Sequence, residues 1–493
     1  MTSSPDAQSQ LAHADVASAI EHQPMTPFQT VAVGICMVLN MIDGFDVLAI
    51  AFASPVLSAE WSLPPETLGL LFSSGLAGMV LGSLLIAPLA DRLGRRWMMM
   101  ASLLGVTVGM LLAALTQTWQ QLALARVVTG LGIGAMLPSL ATVVAELSSA
   151  RRRALCVSIM STGYPIGATI GGIAAVFIVR SFGWRGIFVF GGLLSLAMIP
   201  IVLWRLPESL AFLAERRPKD ALERINQLLR RLGRPEIDRI PEGRKRGEKA
   251  AARDLVRGRL GASSAALWTA FFCVMASFYF VINWTPKLLV SAGLNPEQGI
   301  SGGVLLNVGG IAGGILLGLL AARVGTFRIV ALTMLAGSAS VVAFGFLADT
   351  LNVAMGLALV VGYLLFGSMV GLYAIMPSVY PTEVRNTGAG LTIGVGRFGG
   401  VLSPWVAGVL LEAGWTSSAT HVVMAVPLVV AAVSTLTLAW LRAGQPDSAS
   451  FAREPSPPAP LPGGEGSKMP VIEAPSPPGR GGLGGEGFPG ARE

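Results

Sequence analysis

The stretch NMIDGFDVLAIAFASP, residues 40–55, puts two acids three residues apart inside an otherwise apolar run, directly after TVAVGICMVL at 30–39. An Asp at the centre of a membrane helix costs about 2.5–3.5 kcal/mol on insertion scales. Either this is not a membrane helix or the acids have a task there. The rest of the chain decides. Of 493 residues 53% are hydrophobic and 13% charged, and the mean hydropathy is +0.65, against about 25% charge in ordinary soluble domains. Runs long enough to cross about 30 Å of hydrocarbon recur at 28–54, 66–90, 97–116, 120–147, 154–179, 186–204, 266–284, 298–322, 329–348, 353–379, 387–411 and 419–441. They are apolar on all sides rather than striped, as lipid-embedded helices are. The expectation is an all-α membrane protein of twelve transmembrane helices.

The formal net charge of +7 invites a nucleic-acid partner, but its placement excludes that need. Basic clusters follow every second span, as DRLGRR (91–96), ARRRA (150–154), ARVGTFR (322–328) and EVR (383–385), and 16 Lys or Arg fall within 205–259. The alternate connections hold only Arg180, Arg185 and Lys287. Under the positive-inside rule both termini and the central loop are cytoplasmic, in a multi-pass protein of the cell inner membrane. Residues 1–27 carry no cleavable signal pattern. Cys36, Cys156 and Cys273 fall in separate spans and form neither a disulfide framework nor a metal spacing.

Internal repetition organises the chain. Gly78 and Gly82 recur as Gly310 and Gly314, Arg92 and Gly94 as Arg323 and Gly325, Arg153 and Gly167 as Arg385 and Gly399, at offsets of 232, 231 and 232. The domains that follow are a tail, 1–27; a six-helix bundle, 28–205; a central loop, 206–265; a second six-helix bundle, 266–441; and a tail, 442–493. Two parallel halves with a site between them at the midplane form a transporter architecture. Within the loop, LPESLAFLAERRPKDALERINQLLRRLG (206–233) reads as helix with Leu222, Ile225, Leu229 and Leu232 on its apolar face. It lies either on the anionic leaflet or packed on the bundle. Residues 234–261 read as flexible and charged. The tail echoes PSPPAPLPGGEG (455–466) in PSPPGRGGLGGEG (475–487), a composition that buries no core. Rows such as Gly163, Gly167, Gly171 and Gly310, Gly314, Gly318 read as close-packing faces. RVVTGLGIGAM (126–136) follows no strand and ends in no Gly-Lys-Ser/Thr, so it is no nucleotide loop, and no Walker motif occurs elsewhere.

Ionisable residues deep in the spans are functional candidates: Asp43, Asp46, Arg126 and Arg397, with Glu146 near a cytoplasmic end. Asp43 and Asp46 lie within one turn, and Asn40 extends their polar stripe. Two carboxylates that close in low dielectric do not both ionise easily and titrate as a unit, which is what proton coupling requires. For Asp46 a static ion pair and a sodium ligand stand as alternatives, and for Asp43 a structural pairing. Arg397, within GVGRFGG, presents a planar fork to a substrate carboxylate or pairs with one of the acids. Arg126 is a coupling partner of those acids or an anchor near the outer interface. Tyr279, Asn283 and Trp284, with Tyr164, Tyr363 and Tyr373 from other spans, supply an apolar pocket with a few polar groups; Trp284 reads equally as an interfacial belt residue. No nucleophile–base set and no metal cluster occurs, so neither an enzyme nor a cofactor is expected.

These residues resemble a known family. DGFD (43–46), ADRLGRR (90–96), RVVTGLGIGA (126–135) and LPES (206–209) are similar to motifs of the major facilitator superfamily. IDGFDVLAIAFASP (42–55), NWTPKLL (283–289) and YPTEVRNTGAGLTIGVGRFGG (380–400) look like its aromatic acid:proton symporter family. The resemblance covers 28–441. It implies two pseudo-symmetric bundles and a monomeric symporter that imports aromatic carboxylates such as hydroxybenzoates together with protons. It further implies that Asp43 and Asp46 serve coupling and that Asp91 and Gly94 work the cytoplasmic gate, with Arg92, Arg95, Glu146, Glu383 and Arg385 beside them. Ala322 stands where the second-half counterpart of Asp91 would carry an acid. Rival readings are an exporter or carrier of another small organic acid, and a membrane receptor for aromatic acids.

Overall fold

A computed structural model describes residues 24–240, 255–348, 350–381 and 384–443; both tails, 241–254, Asp349, Thr382 and Glu383 lie outside it. Every regular element among the described residues is helical. The first, α1 (Pro27–Glu60), starts at a capping box: Thr26 accepts from the Gln29 backbone N–H and Gln29 Oε1 accepts from that of Thr26, with Pro27 in the first helical position. There follow α2 (Pro65–Leu93), whose last turns loosen into π and 3₁₀ geometry, α3 (Arg95–Leu115) and α4 (Trp119–Leu147).

The 53-residue helix Arg153–Arg205 would reach about 80 Å if straight, over twice the hydrocarbon thickness. Gly183, at φ 64° and ψ −171°, breaks it, a conformation only glycine takes without strain. The chain doubles back there. Gly167 and Gly171 on one limb face Met41 and Phe45, Trp184 reaches Glu60 at the turn, and Gly191 on the other limb returns to Asp46. The limbs are α5 (153–182) and α6 (184–205). Beyond the central loop come α9 (Gly258–Ser291), α10 (Pro296–Val324), α11 (Thr326–Leu347), α12 (Leu351–Val379), α13 (Arg385–Glu412) and α14 (Ser417–Ala443). Twelve membrane-length helices among the described residues thus match the twelve spans read from hydropathy, in two six-helix bundles.

Three expectations need correction. The seventh span begins at Gly258 rather than 266, because its first turns, GRLGASSA, protrude past the apolar zone and need no hydrophobic side chains. The loop helix is two pieces, α7 (Leu210–Arg216) and α8 (Ala221–Arg231), separated where Arg217 takes φ 46° before Pro218. The face of α8 carrying Ile225, Leu228 and Leu229 packs on Leu210, Phe212, Ile237, Ile240 and Phe28, so it rests on the protein itself.

The third concerns the repeat register. A Cβ on Gly78 or Gly82 would meet the Val127 or Leu131 carbonyl oxygen at 2.3 or 2.2 Å. In the second half the same role falls to Gly309 and Gly313, 2.0 Å from the Leu359 and Tyr363 oxygens, while Gly310 faces the Phe366 ring. The α2/α10 offset is therefore 231, the same as Gly94 to Gly325, both at positive φ (99° and 95°). Partners Val127/Leu359 and Leu131/Tyr363 keep 232, so the one-residue slip falls between α2 and α4. Hydropathy cannot locate it, because adjacent glycines look alike until a partner backbone touches one of them.

Such backbone contacts are how helices cohere in lipid, where no hydrophobic drive exists between them. One of the tightest joins α1 to α5: a Cβ on Gly167 would stand 1.9 Å from the Met41 oxygen, and one on Gly44 2.1 Å from the Tyr164 oxygen. Gly167→Val should force α1 and α5 apart and destabilise the protein by about 1–3 kcal/mol or more. Gly356→Ala, at a site with open space around it, should be neutral. Thermal unfolding of both variants in detergent checks this, and an unchanged Gly167→Val midpoint would refute the contact.

Candidate functional site

Asp43 and Asp46 are both fully buried in the middle of α1, and they face different neighbours. Asp46 points toward α4 and α6. Its Oδ2 accepts from Ser195 Oγ at 3.4 Å, and its Oδ1 stands where a Cβ on Gly191 would intrude at 2.6 Å. Arg126 on α4 is 2% exposed, which rules out the outer-interface anchor. Its Nη2 donates to the Asp46 carbonyl oxygen at 2.9 Å and, more weakly, to that of Val47 at 3.4 Å, while Nη1 approaches Met110 Sδ at 3.6 Å. Arg126 therefore holds the α1 backbone beside Asp46, leaving Asp46 Oδ1 and its own Nε without hydrogen-bond partners. Gly75 makes the room: a Cβ there would come within 3.2 Å of Nη2.

Asp43 lies toward α5 and the seam between the halves. Neither of its carboxylate oxygens has a hydrogen-bond partner among the described residues. Tyr164, with an equally unpartnered buried hydroxyl, lies close enough to interact with both Asp43 and Tyr279. Asn40 is occupied otherwise, donating to the Met160 and Ser161 carbonyls at 2.8 and 3.4 Å, so its part in the polar stripe is to tie α1 to α5.

Across the seam, Arg397 on α13 is half-buried and near enough to interact with the hydroxyls of Tyr279 and Tyr373. Its guanidinium makes no hydrogen bond or ion pair to a described residue. The Tyr279 ring rests on Gly400 and meets Phe278 edge-on at 5.3 Å, and Tyr373 meets Phe271 the same way. Asp43, Tyr164, Tyr279, Arg397 and Tyr373, from five helices, are thus near enough to influence one another in turn, beside the rings of Phe271 and Phe278. Asn283 is 1% exposed and its amide donates to the Tyr279 carbonyl of its own helix at 2.8 Å. Trp284 is 1% exposed and donates to the Pro404 carbonyl at 3.0 Å while meeting Phe72 edge-on at 5.3 Å. It is no interfacial belt residue; it joins α9 to α13 and α2. Tyr363 instead serves the α10–α12 contact through its backbone.

The halves meet along α2–α13, α5–α10 and α1–α9. Ser73 donates to the Val401 carbonyl at 2.6 Å, Gly408 abuts Pro65, and Phe52 packs over Gly303. These contacts gather toward the end away from the central loop. At the loop end the first half is drawn together separately. Glu208 Oε1 accepts from the backbone N–H of Arg95 and Arg96 at 2.8 and 3.2 Å and from Ser209 at 2.9 Å, so a carboxylate caps the positive start of α3. Arg95 pairs with Glu146, donates to Ser209 Oγ at 3.0 Å and reaches Asp91 at 3.8 Å. Gly94 is required twice over, by φ 99° and by Glu208 Oε2, which a Cβ would meet at 2.5 Å. The gating candidates Asp91, Gly94, Arg95 and Glu146 thus come together. Arg92 is exposed, Arg385 donates to the Tyr380 carbonyl at 3.3 Å in the other half, and Glu383 lies outside the described residues.

Sequence reasoning passed over Ser195 and Met110, each touching the acid–arginine cluster, and Asn307, fully buried with an unpartnered Oδ1. A lone Ser or Met in a span carries no signal, whereas Asn307 could have been found by the rule that singled out Asn283.

The family model of the Major Facilitator Superfamily matches residues 36–404. The chain is similar to a gallate transporter of Pseudomonas putida, 31% identical over 430 residues, covering 86% of this chain and 94% of that one. It is similar also to the 4-hydroxybenzoate transporter PcaK of Pseudomonas aeruginosa, 29% identical over 427 residues, covering 86% and 95%. Among solved structures, the inward open conformation of the xylose transporter XylE from E. coli shares its fold with TM-score 0.66 at 16% identity, covering 84% of this chain and 99% of that one. Alignments of this extent, on helices already matched span for span, establish the family: the chain belongs to the Major Facilitator Superfamily and is a multi-pass membrane transporter rather than an enzyme.

Proposed function

We propose that this protein is a proton-coupled symporter that carries an aromatic carboxylate into the cell by alternating access, with both termini and the central loop cytoplasmic. The observation that carries the reading is Asp43: a fully buried carboxylate with no hydrogen-bond partner among the described residues on either oxygen, one turn from a second acid held beside a buried arginine. An ionised carboxylate left unpaired in an apolar interior costs several kcal/mol, and a bound proton removes that cost. Such a group is suited to change its protonation as the site opens to one side and then the other. The similar gallate and 4-hydroxybenzoate transporters support an aromatic acid as cargo.

In this reading Arg397 meets the substrate carboxylate, because its half-buried guanidinium makes no hydrogen bond or ion pair to a described residue and is open to a bidentate anion. The rings of Tyr279 and Tyr373 flank the aromatic body, and Tyr164 links the substrate region to Asp43. Arg126 holds Asp46 in place, so that protonation of the pair, loading at Arg397 and rocking of the halves are one linked event. One proton with one monoanion moves no net charge, so the pH gradient alone drives accumulation. The monomer contains every group this cycle needs.

Three measurements in proteoliposomes test it, with gallate and 4-hydroxybenzoate as cargo. Raising the external pH toward the internal value should abolish uphill uptake. Asp46→Asn should abolish accumulation while leaving counterflow exchange partly intact; accumulation that survives the substitution would refute the coupling assignment. Arg397→Gln should raise KM for carboxylates by about 10- to 100-fold, the loss of roughly 1.4–3 kcal/mol of charge-assisted hydrogen bonding. Arg397→Lys should recover only part of it, because an ammonium lacks the fork. An unchanged KM in Arg397→Gln would move the substrate carboxylate elsewhere.

A further inference from the structure

At the loop end α3 begins beside the end of α6, and α8 lies across both. Between them is a cavity of about 300 Å³ whose lining includes Arg96, Trp97, Trp204, Glu208, Arg224 and Arg231. Three guanidiniums from segments more than a hundred residues apart face one space, near enough for Arg224 and Arg231 to act on Arg96. Among the described residues two carboxylates answer these three guanidiniums, Glu208, which acts on Arg96, and Asp220, so one positive charge is left over. Glu208 is engaged by the backbone N–H groups of Arg95, Arg96 and Ser209. Asp220 pairs with Arg224 alone, and Arg231 otherwise lies 5.9 Å from the centre of the Phe28 ring. Arg96 Nη2 is held by the Leu203 carbonyl, while its Nε is buried without a partner. Converging positive charge in excess of the carboxylates around it is a place for an anion.

The depth of the cavity says which kind. Trp97 and Trp204 are 55% and 74% exposed at its mouth, and indoles so placed sit at the headgroup level of a bilayer. Leu104 on α3 and Leu196 on α6 continue outward from them as exposed apolar surface, a wall on which acyl chains can lie. Basic pockets at this level of membrane helices take phosphate-bearing head groups. We propose that this cavity binds the phosphodiester of an anionic phospholipid in the adjacent leaflet, with Arg96 and Arg231 on the phosphate oxygens and the two tryptophans flanking the glycerol. Free inorganic phosphate shares the recognised chemistry but lacks the apolar part.

The full-length protein in detergent, titrated with short-chain phosphatidylglycerol, phosphatidylcholine or inorganic phosphate and read by native mass spectrometry and thermal shift, tests this. The unaltered protein should prefer phosphatidylglycerol to phosphatidylcholine by about tenfold or more, equivalent to about 1.4 kcal/mol. The preference should fall to about twofold in Arg224→Gln/Arg231→Gln, whose side chains are on the exposed face of α8 and leave the fold intact, and in Arg96→Gln where that variant folds. Arg230→Gln/Arg234→Gln removes the same charge from α8 and its end without touching the cavity, and should keep it. Excess inorganic phosphate should not displace the lipid. Absence of a preference, its survival in the first double variant, or an equal loss in the second would each overturn the site. Phosphate that matches the lipid in affinity would overturn the lipid as its occupant.

Discussion

Hydrocarbon cannot solvate a carboxylate, and the first half of this transporter is arranged by that constraint. Two acids on α1 must be walled off by other helices, and walls this close require backbone against backbone. The α1–α5 contact supplies it: Gly44 beneath the Tyr164 carbonyl, and Gly163 and Gly167 beneath those of Met37 and Met41. On the other side, Gly191 of α6 and Gly75 of α2 leave room for the Asp46 carboxylate and the Arg126 guanidinium. At these glycines a side chain would push the enclosure open. The acids and the glycines are thus one feature, since buried charge needs tight walls and tight walls need residues without side chains.

Within that enclosure the acids are held unequally. Asp46 has a hydroxyl from Ser195 and a neighbouring guanidinium that fixes its backbone; Asp43 has neither. Three residues of helix turn one carboxylate toward the bundle and the other toward the seam, by about 60°. A group with fixed partners resists change, while one without them responds to whatever approaches. In the proposed cycle this unequal support makes Asp43 the side responsive to the seam and Asp46 the side anchored to α4 and α6. The positive and aromatic groups, Arg397, Tyr279 and Tyr373, come from the other half, so in that proposed cycle the charges that meet during loading are divided between the two halves.

The loop end shows the same economy of parts. Glu208 lies directly after α6, yet its carboxylate caps the start of α3, and Ser209 beside it bridges Arg95 to Glu146 at the end of α4. One short segment therefore binds the ends of three helices, and Gly94 bends away from it with the same positive φ that Gly325 repeats in the second half. That repetition survives although the acid at Asp91 is matched by Ala322. The turn is demanded by backbone geometry, whereas among the described residues the charged network is seen in the first half.

Hydropathy alone determined the membrane character and the twelve spans, because lipid imposes length and apolarity on each helix independently of its neighbours, and the recurrence of Gly and Arg pointed to two halves. The same reasoning singled out Asp43, Asp46, Arg126 and Arg397, since charge in an apolar run is conspicuous wherever it stands. What a residue touches was beyond its reach. That Arg126 grips a carbonyl instead of a carboxylate, that Trp284 is a buried strut, that Gly309 and not Gly310 carries the close approach, and that α8 folds back onto the protein all depend on rotation of one helix against another. Rotation is set by which small surfaces interlock in three dimensions, and a one-dimensional pattern of apolar residues that looks the same on every side of a helix contains no record of it.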